Sequence, residues 1–369
     1  MRFTCDTNEL SASLSIVSRA LAVRSPKPIL EGILFESGDD GSSLRLTCTD
    51  MALGIETVIP ATIMEDGRIV LPGKLLCEIV RKLPGGCVTF TIDERLGTKI
   101  ECGKSKTKIT GFDPVEYPEL PQVSGASFSM EQGKLRDMIG RTLFAIAVDE
   151  SRPILTGCLL EMSREEMCVV ALDGFRLAKR REDVCGPEQE VKAVVGGKVL
   201  GDIAKILEDS EESVSLCFSR SHMQMDMGST HIVARLLEGE FIRYRQILPQ
   251  EAQTRVCINR SDLASAIDRA SLIAREGKNN LVCFRIDGEN LMVTSNSETG
   301  DVEENIAVFT EGKDIQIAFN IRYITDVLKA VSDDEISMLF NSNISPCVVR
   351  PTEGDSYLYL VLPVRTFNS

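Results

Sequence analysis

Lys74, Glu78 and Arg81 are spaced four and three apart in the line LPGKLLCEIVRKLP (71–84). The triplet returns as Lys198, Asp202 and Lys205 in VGGKVLGDIAKILE (195–208), and as Arg322, Asp326 and Lys329 in FNIRYITDVLKAVS (319–332). Each copy lies 124 residues after the one before. On a helix these spacings set the three side chains on one face. Two cations flanking an acid on one helix face can contact phosphates. A single stripe of this kind would also simply solvate a surface helix; its recurrence in three copies favours the phosphate reading.

Other chemistries lack their groups. The only histidines are His222 and His231, and neither sits near a persuasive serine or cysteine nucleophile. No GxxxxGK[ST] loop and no paired dinucleotide fingerprint is present. A nuclease or polymerase would need clustered acids to hold two metals, whereas SGDD and EDSEES read as a hairpin turn and a solvated loop. The 12 cysteines run from Cys5 to Cys347 without a CxxC pair, and most fall in apolar runs such as LRLTC and EMCVVAL. They read as buried, reduced thiols. No metal and no cofactor is expected.

The elements that must position the stripes also repeat. FTCDTNELSASLSIVSRAL (3–21), FSMEQGKLRDMIGRTLFAI (128–146) and VCINRSDLASAIDRASLIA (256–274) each run from an extended start into an amphipathic helix. Their apolar positions are Leu10, Leu14, Val17; Leu135, Ile139, Thr142; and Leu263, Ile267, Ala270. Asn8 and Ser261 stand where N-caps would. Six helical windows follow: 8–21, 71–83, 133–145, 195–207, 260–275 and 320–330. Between and after the helices lie β-rich runs such as ILEGILFE, LRLTCTD, VTFTI, LVCFRID and YLYLVLPV. The turn signals SGDDGS, PGG and DGEN read as hairpins. At 369 residues the chain exceeds what one core usually organises. An α+β fold of three tandem repeats is expected, with domains 1–124, 125–252 and 253–369.

The net charge of −14 opposes nucleic-acid binding unless the charge is segregated. The six helical windows together carry +7, which leaves −21 for the rest of the chain. Arg24, Lys27 and Arg152 in nearby loops add to the bias. No apolar run approaches a membrane span, and MRFTCDTNELSAS lacks the basic and apolar regions of a secretory signal. A cytoplasmic protein without membrane contact is expected.

The repeats and several local motifs resemble the bacterial sliding clamp, the beta subunit of DNA polymerase III, over the whole chain. The motifs are FT at the start, PIL…G (28–32), CTD (48–50), LTG (155–157), LDGFRLA (172–178), EGEFIRYRQILP (238–249), FNIRYITDVLKA (319–330) and LVLPVR (360–365). The resemblance implies a homodimer whose six DNA-clamp domains, each with two helices and antiparallel sheets, close a ring around double-stranded DNA. It implies a processivity factor for DNA replication, within a holoenzyme that is a DNA-directed DNA polymerase, a nucleotidyltransferase, but without an active site of its own. DNA contacts are implied for Arg24 and Lys198 with Arg152 close by, beside the stripe bases Lys74, Arg81 and Lys205. Near Arg152 the chain departs from its relatives in carrying Asp149, Pro153 and Ile154.

A partner-peptide pocket is implied at Leu155, Leu172, Gly174, Phe175, Arg176, Leu177, Ile242, Ile247, Leu362, Pro363, Val364 and Arg365. Asn320, Tyr323, Ile344 and Pro346 are implied along an adjoining channel. Phe175 replaces a common histidine and Ile242 a common proline, and a Thr-Phe-Asn-Ser tail follows Arg365. Implied partners are the polymerase III alpha subunit, the clamp loader, and other polymerases and repair proteins carrying Gln-Leu-x-Leu-Phe-type peptides. For ring closure, Lys104, Lys106 and Lys108 alternate in KSKTKI and would share one side of a strand, although edge lysines also block aggregation. Glu298, Asp301, Glu303 and Glu304 would face them, with Leu272 and Ile273 as an apolar centre. The competing readings are an enzyme and a repeat scaffold that binds proteins but not DNA.

Overall fold

The computed structural model describes residues 1–38, 40–277 and 280–365. The Thr-Phe-Asn-Ser tail lies outside the described residues. Among the described residues six α-helices form: α1 (Thr7–Val17), α2 (Gly73–Arg81), α3 (Gln132–Gly140), α4 (Gly197–Ile206), α5 (Arg260–Glu276) and α6 (Ile321–Ala330). All six lie within the windows marked by apolar periodicity, to within a residue or so at each end. The window 133–145 is broken, however: α3 stops at Gly140 and a separate short 3-10 turn covers Leu143–Ala145. The window 8–21 likewise ends in a 3-10 turn, Ser18–Ala20.

The N-caps fall two residues earlier than the sequence places them. Asp6, not Asn8, caps α1, its carboxylate accepting from the Asn8 and Glu9 backbone N–H groups at 2.8 and 3.2 Å. Asn259, not Ser261, caps α5 and accepts from Ser261 and Asp262. The physical reason is that each strand runs straight into its helix. The last strand residue supplies the cap, and the apolar stripe begins only one turn later.

The chain divides into two compact units, Met1–Gln132 with Ser210–Leu236, and Gly133–Asp209 with Leu237–Ser369. The first holds a five-stranded sheet in the order Thr62–Glu65, Arg2–Asp6, Cys87–Ile92, Gly97–Cys102, Ser105–Thr110. Its eight-stranded sheet runs Ala126–Glu131, Ser213–Phe218, His222–Met227, Thr230–Arg235, Leu53–Pro60, Ser43–Thr49, Gly32–Ser37, Arg68–Pro72. The PGG segment (84–86) joins α2 to a strand, so it is not a hairpin turn. Phe3, Phe35 and Phe90 stack in the core, the first and last 4.8 Å apart. Leu10, Leu14 and Val17 of α1 are buried with them.

The second unit holds a nine-stranded sheet in the order Val191–Gly196, Gly157–Met162, Glu166–Leu172, Arg176–Asp183, Tyr357–Val361, Cys347–Pro351, Glu335–Phe340, Thr254–Asn259, Phe309–Gly312. A four-stranded sheet runs Gly300–Ala307, Asn290–Ser297, Leu281–Asp287, Ile315–Asn320. In the large sheet Leu177 pairs with Leu360, which joins strands of the second and third repeats. Leu263, Ile267 and Ala270 of α5 are buried, as are Leu135, Ile139 and Thr142 at α3. Cys5, Cys48, Cys102, Cys158, Cys168 and Cys347 are buried free thiols. Burial pushes the Cys5 and Cys158 thiols up to about 12, which keeps them protonated and inert.

Candidate DNA-facing helices and partner socket

The stripe helices bury one side and leave their bases in solvent. Leu76 and Val80 of α2, Leu200 and Ile203 of α4, and Ile324 and Val327 of α6 are buried. Lys74 and Arg81, Lys198 and Lys205, and Arg322 and Lys329 are exposed at matching places in the three repeats. The acids between them serve different purposes. Asp202 pairs with Lys205 at 3.2 Å, a separation of three residues and not four. Asp326 instead receives the guanidinium of Arg176. Arg24 and Arg152 are exposed in loops. Close to Arg152, the Asp149 carboxylate accepts from the Ser151 hydroxyl and backbone N–H at 2.6 and 2.9 Å. Those bonds, with the Arg152 charge, hold its pKa below the usual value. A negative charge therefore stands beside that arginine.

Of the implied pocket residues, Arg176 and Leu177 open the strand Arg176–Asp183 and fall on its two faces, because successive side chains point opposite ways. Leu177 faces an apolar cluster with Leu155, Leu172, Val194, Val348 and Leu360, against which Leu362 packs. Segment 237–249 lies over this cluster and buries Phe241 and Tyr244 in it. Ile242 and Ile247 on the same segment stay 38% and 47% exposed. Arg176 turns to the other face, where its donors reach Asp173 at 3.0 Å and Asp326, and it stacks over Tyr323 at 4.7 Å. Phe175, 58% exposed, stacks on the same Tyr323. The turn before it is set by the Asp173 carboxylate, which accepts from the Phe175 and Arg176 N–H groups at 2.8 and 3.0 Å. Gly174 takes φ +94° there, where a side chain would be strained.

The last described residues close the site's edge. The Leu362 N–H donates to the Phe175 carbonyl and the Val364 N–H to the Ala318 carbonyl, at 2.9 and 2.8 Å. Ile344, Val364 and Arg365 line a cleft of about 300 Å³ with Cys283 and Gln316. Pro346 lines a different one, about 520 Å³, with Val348, Leu339 and Arg255. Pro363 bridges Leu362 and Val364. Asn320 is occupied as the cap of α6, its side chain accepting from the Arg322 N–H. Sequence reasoning missed Phe241, Tyr244, Asp173 and Glu161. The available signal was Glu161 itself, a lone carboxylate inside the apolar run ILTGCLLE.

Of the residues expected at the ring-closing edges, Lys106 and Lys108 lie on Ser105–Thr110, the last strand of its sheet. They pair loosely with Glu101 and Asp93, at 3.4 and 3.5 Å. Lys104 is in the preceding turn and not on the strand, because Gly103 with φ +56° closes the hairpin there. Asp301 and Glu303 are exposed on Gly300–Ala307, the end strand of the four-stranded sheet, and Glu298 is exposed in the turn before it. Glu304 points to the other face and forms a bidentate pair with Arg269 at 2.7 and 2.6 Å. Leu272 on α5 is 65% exposed and Ile273 half-buried. Among the described residues no group of three or more His, Cys, Asp or Glu could hold a metal ion, and no helix is long and apolar enough to cross a membrane.

Three repeats of strand, helix, strands, helix and strands, with bases on equivalent helices, define the DNA-clamp class of fold. Three models match in order: the DNA polymerase III beta subunit N-terminal domain at residues 1–121, its central domain at 129–242 and its C-terminal domain at 245–365. The beta sliding clamps of Staphylococcus epidermidis and Staphylococcus aureus are each 33% identical, over 100% of both chains. The crystal structure of the Bacillus subtilis DNA polymerase sliding clamp superposes with a TM-score of 0.96 at 34% identity, covering 100% of both chains. A Pseudomonas aeruginosa sliding clamp bound to griselimycin gives 0.94 at 25% identity, covering 99% of this chain and 100% of that one. The chain belongs to the DNA polymerase III beta subunit family, the sliding clamps of bacterial DNA replication.

Proposed function

We propose that two copies of the chain close head to tail into a ring around duplex DNA, without sequence preference. The ring tethers the polymerase III alpha subunit, the clamp loader, and other polymerases and repair proteins. Their Gln-Leu-x-Leu-Phe-type peptides enter the socket at Leu155, Leu172, Leu177, Ile247 and Leu362, with Arg365 at its edge. The three domains are 1–124, 125–252 and 253–369, and the chain works in the cytoplasm as a processivity subunit with no active site of its own. The observation that carries this reading is the exposure of two bases at equivalent positions of α2, α4 and α6. A linked ring need not bind tightly, so weak and partly water-mediated phosphate contacts suffice and permit sliding. A chain of net charge −14 can then hold DNA on one basic face.

The test is primer extension on a long template by a polymerase carrying such a peptide. Full-length chain is compared with chain truncated after Leu362. The full chain alone should extend nothing, and with polymerase it should lengthen the products. Removing Pro363, Val364 and Arg365 should abolish that lengthening while leaving the dimer intact by light scattering. Undiminished stimulation by the truncated dimer would place the peptide elsewhere.

A further inference from the structure

We propose that Glu161 is a positioning residue for the partner socket, acting through Tyr244 to hold the segment that forms its rim; this rests on the socket reading above. Glu161 lies on Gly157–Met162, on the same sheet face as the apolar cluster, and is only 8% exposed. A carboxylate so buried requires partners, and it has three. The Tyr244 hydroxyl donates to it at 2.7 Å, Arg245 reaches both oxygens at 3.0 and 2.9 Å, and Lys192 on the adjacent strand lies at 3.1 Å. Burial alone would raise the carboxyl's pKa. Tyr244, Lys192 and Arg245 outweigh it and hold the value below the usual range, so the group stays charged.

Two of these partners belong to segment 237–249, whose only regular structure is one short 3-10 turn at Tyr244–Gln246. Without a ladder of its own, such a segment keeps its position through side-chain anchors. Tyr244 is that anchor, 2% exposed and seated in the cluster. Ile242 two residues before it and Ile247 three residues after it are the exposed apolar side chains that the segment presents. Fixing the phenol therefore fixes both isoleucines, and a preformed rim costs a ligand less ordering on binding.

The first repeat supplies an internal control. Its equivalent carboxylate, Glu36, keeps the cross-strand base, Arg68 at 2.7 Å. Its equivalent tyrosine, Tyr117, ignores the acid and donates instead to the Gly32 and Thr47 carbonyls, each at 3.2 Å. The acid–base pair is thus common architecture. The acid–tyrosine bond is present at this place in the second repeat and absent from the equivalent place in the first.

The experiment titrates a fluorescent Gln-Leu-x-Leu-Phe peptide against the full-length dimer and its Glu161→Ala, Tyr244→Phe and Ile247→Asp variants. Amide exchange of 241–247 is followed alongside that of α5. Glu161→Ala and Tyr244→Phe should each weaken the peptide on the order of tenfold, the usual worth of a hydrogen bond to a charged group. Exchange should quicken in 241–247 and stay unchanged in α5. Tyr244→Phe removes one oxygen only, and so keeps the test open should Glu161→Ala fold poorly. Wild-type affinity in both variants, with binding lost in Ile247→Asp, would overturn the positioning role and leave the socket standing. Faster exchange throughout the chain would reduce Glu161 to a general stabiliser. Full affinity in Ile247→Asp would instead remove the socket, and this proposal with it.

Discussion

Arg176 and Leu177 are adjacent in the chain and serve different sides of the same sheet. Leu177 belongs to the buried apolar cluster with Leu155, Leu172 and Leu360, while the guanidinium beside it ties the turn at Asp173 to Asp326 of α6 and stacks over the ring of Tyr323. The motif LDGFRLA marked both residues without separating their roles, because the direction of each side chain depends on the strand's register. Asp326 was legible only as the acid of a helix stripe; its partner lies 150 residues away. Replacing Arg176 by alanine strands two acids in partly dry surroundings. We expect the unfolding free energy to fall by roughly 1–3 kcal/mol, read from the urea midpoint. Lysine should restore little, since an ammonium cannot fork between two carboxylates as a guanidinium does. An unchanged midpoint for Arg176→Ala would show that neither ion pair stabilises the fold.

At the scale of elements, helices were easier to read than strands. Each helix buries a stripe of period 3.6, and Leu10, Leu14, Leu263 and Ile267 revealed it directly. Strands such as RLAKRRED (176–183) and HMQMDM (222–227) hid among their charges. Arg180 pairs with Asp137 of α3 and stacks over Tyr357, and Arg181 joins Glu166 and Asp355, partners that a local pattern cannot show. The caps were misplaced for a related reason, the absence of any loop between strand and helix. Helix α5 is the longest of the described helices, at 17 residues, and its last turns leave Leu272 exposed with the half-buried Ile273 beside it. A large apolar side chain as exposed as Leu272 has a reason when it adjoins an open sheet edge. Leu272→Ala with Ile273→Ala should convert the dimer to monomers by light scattering without lowering the helix content. A persistent dimer would move the interface elsewhere.

For the whole molecule, the period of 124 residues announced three repeats but not how their sheets join. The strand Thr230–Arg235 of the second repeat pairs with Leu53–Pro60 of the first, and Arg176–Asp183 pairs with Tyr357–Val361 of the third. Such pairings between distant segments leave no trace in local periodicity. Charge segregation, in contrast, was legible by counting: basic helices within an acidic chain. It reconciles a net charge of −14 with a DNA partner only if linkage, and not affinity, holds the two together. The most direct measurement of that claim follows the protein, loaded on nicked circular duplex, through gel filtration at raised salt before and after one cut linearises the circle. The account predicts that the protein travels with the circle despite the salt, which weakens ordinary phosphate contacts steeply, and is released when the circle is cut. Equal retention on circular and linear DNA, or none on the circle, would contradict it.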